Sequence, residues 1–262
     1  MTEALLTMKA IEFSLVIPAY NEEARIIASL QRVLDHYSLK TAGLEIVVVD
    51  DGSTDNTRAL CTEYAAYHPE VVVIGYQINR GKGYAVKTGV LSTRGRYVAF
   101  CDADLPVPPE DFKRFVEASK RGYDLVIGSR YLPAAEWEMP IYRRLLGWGF
   151  RLLVKIATGI VVTDSQFGFK LFTGRAAKLL FASLTTDGFA FDAEILSVAQ
   201  RLGFRIKELP VRGIHSPGSK VRPVRDTLCM LAELTILCLR RDPYWFTHEA
   251  DVYSRTPPIF RS

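Results

Sequence analysis

Five short apolar runs, each leading through a polar turn, constrain the fold of this chain more than any other feature. They are Phe13–Ile17 (FSLVI), Glu45–Val49 (EIVVV), Val71–Gly75, Tyr97–Cys101 (YVAFC) and Asp124–Gly128. Continuous apolar runs of about five residues belong to strands covered on both faces. Helical patterns lie between them, over Glu22–Tyr37, from the DDGSTDNT turn to Tyr67, and after Gly83. The predicted fold is therefore α/β, a doubly wound and mainly parallel sheet. Ligands in such sheets bind beyond the carboxyl ends of the strands, so the residues just after each run are the ones to read for function.

From about Tyr131 the pattern is less regular. A basic apolar segment (Met139–Ile160) precedes a strand-like run at Phe169–Phe172 and a helix from Phe191 to Leu202. A strand near Arg205–Val211 and a last helix from about Pro223 to Arg241 follow, and Pro243 ends that helix. No repeat or low-complexity linker divides the chain. We expect one domain over residues 12–241, in halves 12–130 and 131–241, with tails at 1–11 and 242–262. Hydrophobic residues make up 48% and charged residues 24%, enough for a sizeable core and against overall disorder. Cys61, Cys101, Cys229 and Cys238 form no Cys-x-x-Cys pair and sit in apolar runs, as buried free thiols in a reducing compartment would. The first residues, MTEALLTMKAIEF, are interrupted by charge and are not read as a signal peptide. No stretch reaches the roughly 18–20 apolar residues of a bilayer span, so a soluble or peripheral protein is expected. The nearest, Thr227–Leu239, is shorter and contains Glu233.

The strand exits carry the chemistry. Asp102-Ala103-Asp104 directly follows YVAFC. Two carboxylates one residue apart at a strand end repel each other, and a hard divalent cation such as Mg²⁺ or Mn²⁺ would neutralise them and bridge to a diphosphate. Asp50-Asp51-Gly52-Ser53 ends EIVVV in the same way. Asp50 is placed to accept from a base N–H or a ribose hydroxyl, Gly52 permits a tight turn, and Asp55 is a candidate cap for the next helix. Pro18-Ala19-Tyr20-Asn21-Glu22 follows the first run, with Tyr20 a candidate to pack near a nucleobase. In Asn79-Arg80-Gly81-Lys82-Gly83 the glycines admit a ligand to the backbone, and Lys82 offers charge to phosphate. The spacing is not that of a P-loop.

Together, SLVIPAYNE, IVVVDDGSTD, NRGKGYAVKTG and YVAFCDADL resemble the family 2 glycosyltransferases of the GT-A fold. Further matches are DLVIGSRY, TDSQFGFKLF, GFAFDAEIL and HSPGSKVRPVRD, so the likeness covers about residues 12–241. It is closest to the polyprenyl-phosphate sugar synthases and, among them, to the dolichyl-phosphate β-glucosyltransferase-like branch. The resemblance implies an inverting transferase with a nucleotide-sugar-binding first half and an acceptor-binding second half. It implies a nucleotide-sugar donor, best read as UDP-glucose, a polyprenyl phosphate acceptor, and Mg²⁺ or Mn²⁺ on Asp102 and Asp104. Pro18, Ala19, Tyr20, Glu22, Asp50, Gly52, Ser53, Lys82, Gly83, Asp102, Ala103 and Asp104 would line the donor pocket. Arg130, with Arg143 and Arg144, would hold the acceptor phosphate, and Lys220 would close over the diphosphate on a mobile loop. Some polyprenyl-phosphate mannose synthases place a further metal ligand, a Gln, two residues after the second Asp; here that position is Pro106, which weakens a mannose reading. Asp192 and Glu194 allow two readings. In relatives with hydroxyl acceptors an acid near here is the general base, while an acid in the first turn of a helix also simply favours the helix dipole.

Other readings stay in view. One is a soluble family 2 enzyme acting on a hydroxyl, another a GDP-mannose-dependent polyprenyl-phosphate mannosyltransferase, and a third a non-catalytic nucleotide-sugar or membrane adaptor. Met139–Ile160 holds Arg143, Arg144, Arg151 and Lys155 and no acid. On a helix Arg144, Arg151 and Lys155 fall within about 40° of one another, opposite Leu146, Phe150, Leu153 and Ala157. That pattern fits either an interfacial helix or an ordinary core-packed one, and Gly147 and Gly149 allow a break into two short helices. Residues 201–241 carry nine Lys or Arg against three Asp or Glu, which adds to the case for an anionic membrane surface. The expected location is the cytoplasm or the cytoplasmic membrane face. No aromatic-interleaved basic motif points to nucleic acid.

Overall fold

The structure, a computed structural model, describes residues 10–36, 43–138, 141–214 and 223–239. The five apolar runs form β1 (Phe13–Ala19), β2 (Leu44–Asp51), β3 (Val71–Tyr76), β4 (Tyr97–Cys101) and β5 (Leu125–Ser129). Helices α1 (Ile26–His36), α2 (Thr57–Tyr67), α3 (Lys82–Ser92) and α4 (Phe112–Lys120) alternate with them. Then come β6 (Glu136–Glu138), α5 (Ile141–Thr158), β7 (Phe169–Thr173), α6 (Gly174–Ala182) and α7 (Phe191–Arg201). β8 (Ile206–Pro210), β9 (Arg212–Ile214) and α8 (Pro223–Leu239) complete the order.

Seven strands make one sheet in the order β3-β2-β1-β4-β7-β5-β8, and β6 and β9 pair separately. Both faces are covered. Leu15 and Ile17 of β1 face a layer that includes Ile26, Leu30 and Val33 of α1 and Phe112 and Phe115 of α4. Val16, between them, faces the other way with Val47 and Val49, against Ala85, Val86 and Val90 of α3. This two-sided burial is why the strands read as unbroken apolar runs. Each Leu, Ile, Val or Phe among them contributes about 1.5–3 kcal/mol on full burial.

One strand is reversed. β7 runs antiparallel to both β4 and β5, and its first residue, Phe169, pairs with Cys101 at the exit of β4. The loop entering β7 therefore reaches the same rim of the sheet as the exits of the parallel strands.

Several local features differ from the sequence expectation. α1 begins at Ile26, later than Glu22. Asn21 has φ +54°, and the amides of Asn21, Glu22 and Glu23 donate to Ser53 Oγ (2.9 Å), Thr57 Oγ1 (2.7 Å) and Asp55 Oδ2 (3.3 Å). Tertiary bonds to the loop after β2 thus displace the first helical turn. α5 is one helix of 18 residues through Gly147 and Gly149; a Cβ at Gly147 would lie 2.6 Å from Tyr131 Oη, so this glycine makes room for the ring. α4 and α6 carried no helical expectation. Cys61 and Cys101 are buried, but Cys229 is exposed, because α8 turns it toward a cleft rather than the core. Cys238 lies outside the residues whose side chains are described. Among the described residues, no helix is long and apolar enough to cross a membrane.

Candidate active site

A cleft of about 1030 Å³ opens at the carboxyl ends of β1, β2 and β4. From β1 come Pro18, Ala19, Tyr20, Asn21 and Glu22. Tyr20 is 40% exposed at the mouth, and Glu22 is fixed by an ion pair to Arg25 Nε at 2.5 Å.

At the exit of β2, successive side chains point to opposite sides. Asp50 is buried, accepts from Ser53 N (3.2 Å), and does not line the cleft. Its neighbour Asp51 does, accepting from Asn79 Nδ2 (2.9 Å), Arg80 N (2.8 Å) and Gly81 N (3.1 Å). Burial pushes the Asp51 carboxyl up, and those backbone donors pull it back. Gly52 and Ser53 form the turn beneath it, out of the cleft lining. Gly52 has φ +68°, and a Cβ there would meet Asn79 N at 2.6 Å, so only glycine fits.

The exit of β4 forms the floor. Asp102, Ala103 and Asp104 line it together with Lys82 from the first turn of α3. Lys82 Nζ is 2.6 Å from Asp102 Oδ1. The backbone is pinned on both sides: Asp102 N donates to Gly168 O (3.0 Å), and Ser29 Oγ donates to Ala103 O (2.6 Å). Burial alone would push the Lys82 ammonium down, but Asp102 and Asp192 outweigh it and the net shift is upward. Desolvation, then the charge of Asp102, pushes the Asp104 carboxyl up, with Arg25 and Lys82 opposing. The described residues hold no group of three or more His, Cys, Asp or Glu that would enclose a metal. Asp102 and Asp104 nevertheless fit a hard divalent cation that takes its remaining oxygens from phosphate and water. Their mutual repulsion, and the ammonium already seated on Asp102, are what such a cation would relieve. Gly83 lies behind the floor, where a Cβ would be 2.5 Å from Thr186 O.

Behind this floor lies a second charged layer, Asp192 with Lys170, of which the sequence pointed only to Asp192. Lys170, the second residue of β7, is fully buried. Its Nζ is 2.6 Å from Asp192 Oδ1 and donates to Phe167 O at 2.9 Å. Burial drives the Lys170 pKa down and the Asp192 pKa up, each opposed by the other's charge. Asp192 is therefore inside the protein, facing a lysine, and it is not part of the cleft lining. Glu194 ties down the preceding loop, accepting from Thr185 N (2.9 Å), Thr185 Oγ1 (2.8 Å) and Thr186 N (2.8 Å). Arg130, after β5, is gripped by buried Asp164 through Nε (2.8 Å), Nη2 (2.9 Å) and its own amide (3.0 Å). It too lies outside the cleft lining. The side chains of Arg143 and Arg144 on α5, and all of Lys220, lie outside what is described.

The far wall of the cleft comes from Gly188 and Phe189 and from Cys229, Met230 and Glu233 of α8. The sequence signals for these unassigned residues were single charges in apolar settings: Lys170 within FKLF and Glu233 within TLCMLAELTIL. Asp51 was passed over for its neighbour, because only the strand's orientation separates the two.

The seven-stranded mixed sheet is of the GT-A kind. The model of glycosyl transferase family 2 matches residues 14–178. The dolichyl-phosphate beta-glucosyltransferase of Drosophila melanogaster is 37% identical over 246 residues, covering 88% of this chain and 76% of that protein. The enzyme of the same name from Saccharomyces cerevisiae is 35% identical, covering 86% and 73%. Among solved structures, glucosyl-3-phosphoglycerate synthase from Mycobacterium tuberculosis superposes with a TM-score of 0.63 at 22% identity, over 87% of this chain and 79% of that one. The chain belongs to glycosyltransferase family 2 and is a glycosyltransferase. Within the family it is similar to the dolichyl-phosphate β-glucosyltransferases.

Proposed function

We propose that this chain moves glucose from UDP-glucose onto a polyprenyl phosphate of the dolichyl kind, with inversion, at the cytoplasmic face of a membrane. The observation that carries this reading is the cleft floor, where Asp102, Asp104 and Lys82 meet beneath the β1 and β2 exits. Tyr20 and Asp51 lie on the side that would receive the nucleoside, Asp51 offering a fixed acceptor to a base N–H. Asp102 and Asp104 would hold Mg²⁺ or Mn²⁺, which supplies positive charge against the leaving diphosphate. Lys82 would turn its ammonium from Asp102 to the phosphate oxygens.

The acceptor oxygen then attacks the anomeric carbon in line as the bond to the diphosphate breaks. A phosphate oxygen is already anionic near neutral pH, so the site needs alignment more than a base. The burial of Asp192 against Lys170 supports this, since a base for a hydroxyl must reach the hydroxyl. Arg130 supplies a fork held rigid by Asp164, and Arg143, Arg144 and Lys220 are the candidates to assist it. Exposed Leu152, Leu153 and Ile156 on α5, beside exposed Lys155, support membrane contact. Arg151 instead folds back, its guanidinium 3.6 Å above the Tyr131 ring. The names of the relatives and the Mn²⁺ and UDP-glucose bound to the mycobacterial synthase point the same way.

The test is a donor panel of UDP-glucose, UDP-GlcNAc and GDP-mannose, with and without Mn²⁺, using a short polyprenyl phosphate as acceptor. Turnover is expected with UDP-glucose and Mn²⁺. Turnover with GDP-mannose alone overturns the glucose assignment, and turnover only with hydroxyl acceptors overturns the lipid one.

A further inference from the structure

Five carboxylates line the cleft: Glu22, Asp51, Asp102, Asp104 and Glu233. Four are accounted for. Glu22 is paired with Arg25, Asp51 is held by the Asn79–Gly81 turn on the nucleoside side, and Asp102 and Asp104 make the floor. Glu233, on α8, has no part in the reaction described above.

Its position is well defined. Oε2 accepts from Ala190 N at 3.0 Å. Oε1 lies against Gly188, so closely that a Cβ at Gly188 would overlap it. The 186–188 loop in turn rests on the start of α3, where a Cβ at Gly81 would be 2.6 Å from Asp187 O. Glu233 therefore stands one loop away from Lys82. Burial pushes its carboxyl up, and the Ala190 amide pulls it back.

A carboxylate beside a diphosphate site repels phosphate and accepts from neutral donors. The neutral donors of a nucleotide sugar are its base N–H, its ribose hydroxyls and its sugar hydroxyls; with the nucleoside assigned to the Tyr20 and Asp51 side of the cleft, the sugar hydroxyls are the ones left for the α8 wall. With Oε2 held by the Ala190 amide the carboxylate is fixed in place, so it discriminates between hydroxyl orientations, because a mismatched sugar leaves a partly buried acceptor without its donor. We infer that Glu233 is the residue that reads the hydroxyls of the donor sugar, placing a specificity determinant on α8. This rests on the nucleotide-sugar reading of the cleft.

Calorimetry with the full chain and Mn²⁺ tests it, comparing UDP-glucose, UDP-galactose and UDP in the wild type, Glu233→Gln and Glu233→Ala. Glu233→Ala is expected to lose about ten- to a hundredfold in affinity for UDP-glucose, with UDP unchanged and the preference over UDP-galactose collapsed. Glu233→Gln keeps an acceptor for the Ala190 amide, so it carries the test should Glu233→Ala not fold, and it should show a smaller loss of the same kind. Equal weakening of UDP and UDP-glucose would mean that Glu233 only braces α8 against α7, and overturns the inference. Unchanged binding of all three ligands overturns it too. Failure of the wild type to bind either UDP or UDP-glucose is the separate result that sinks the nucleotide-sugar reading itself.

Discussion

Asp104 shows how much a single side chain at the cleft floor can reveal. Its carboxyl is pushed up by desolvation and by Asp102. A carboxyl whose folded pKa lies above its unfolded value stabilises the fold at low pH, and that stability is lost as pH rises through the folded value. Metal-free Asp104→Asn is therefore expected to melt higher than the wild type at pH 7, with the gap closing as the pH falls through the raised folded value and gone below the ordinary carboxyl value of 3.8. In return, Asp104→Asn should lose the rise in melting temperature that Mn²⁺ gives the wild type, and about a hundred- to a thousandfold in turnover. Lys170 makes the opposite case. Lys170→Met leaves Asp192 buried without its cation and should cost about 3–5 kcal/mol in urea unfolding. Converting Asp192 to leucine as well should restore most of that loss, since the pair can be replaced by apolar side chains of similar volume. If the double variant is as unstable as the single, the pair is not what the buried charge depends on.

Elements were legible in the sequence where one physical signal dominated. β1 to β5 could be read because two covering layers demand unbroken apolar runs, and the place of Asp102 and Asp104 in the cleft because they directly follow the fourth of those runs. α1 misled at its start, since Asn21–Glu23 bond to residues 53–57, a long-range choice that no local pattern encodes. Asp50 was preferred to Asp51 for a similar reason: one residue of register decides which carboxylate lines the cleft. Lys170 and Glu233 were visible only as charges out of place. On α5, the angular arrangement put Arg151 with Lys155, but stacking on Tyr131 removes it from the outer face. That face is Leu152, Leu153, Lys155 and Ile156. Leu153→Gln with Ile156→Gln should lower binding to anionic vesicles about tenfold or more in co-sedimentation, at an unchanged melting temperature. Equal binding by the variant would remove α5 from the membrane contact.

For the molecule as a whole, the cysteines report which surfaces are reachable. Cys61 is buried, and desolvation with the charges of Asp50 and Asp55 pushes its thiol up to about 12. Cys101 is buried beside the acidic floor. Peptide mapping after iodoacetamide treatment of the folded chain should find Cys229 alkylated and Cys61 and Cys101 spared until denaturant is added. UDP-glucose with Mn²⁺ should slow the labelling of Cys229, which shares its cleft wall. Labelling unaffected by the nucleotide would place the donor elsewhere. The reversed strand β7 has a consequence on a longer timescale. It puts Gly168 O on the amide of Asp102 and Lys170 behind it, so residues late in the chain hold a carboxylate that comes early. Recombination that traded everything after Arg130 for a stranger's sequence would strip that carboxylate of its anchor.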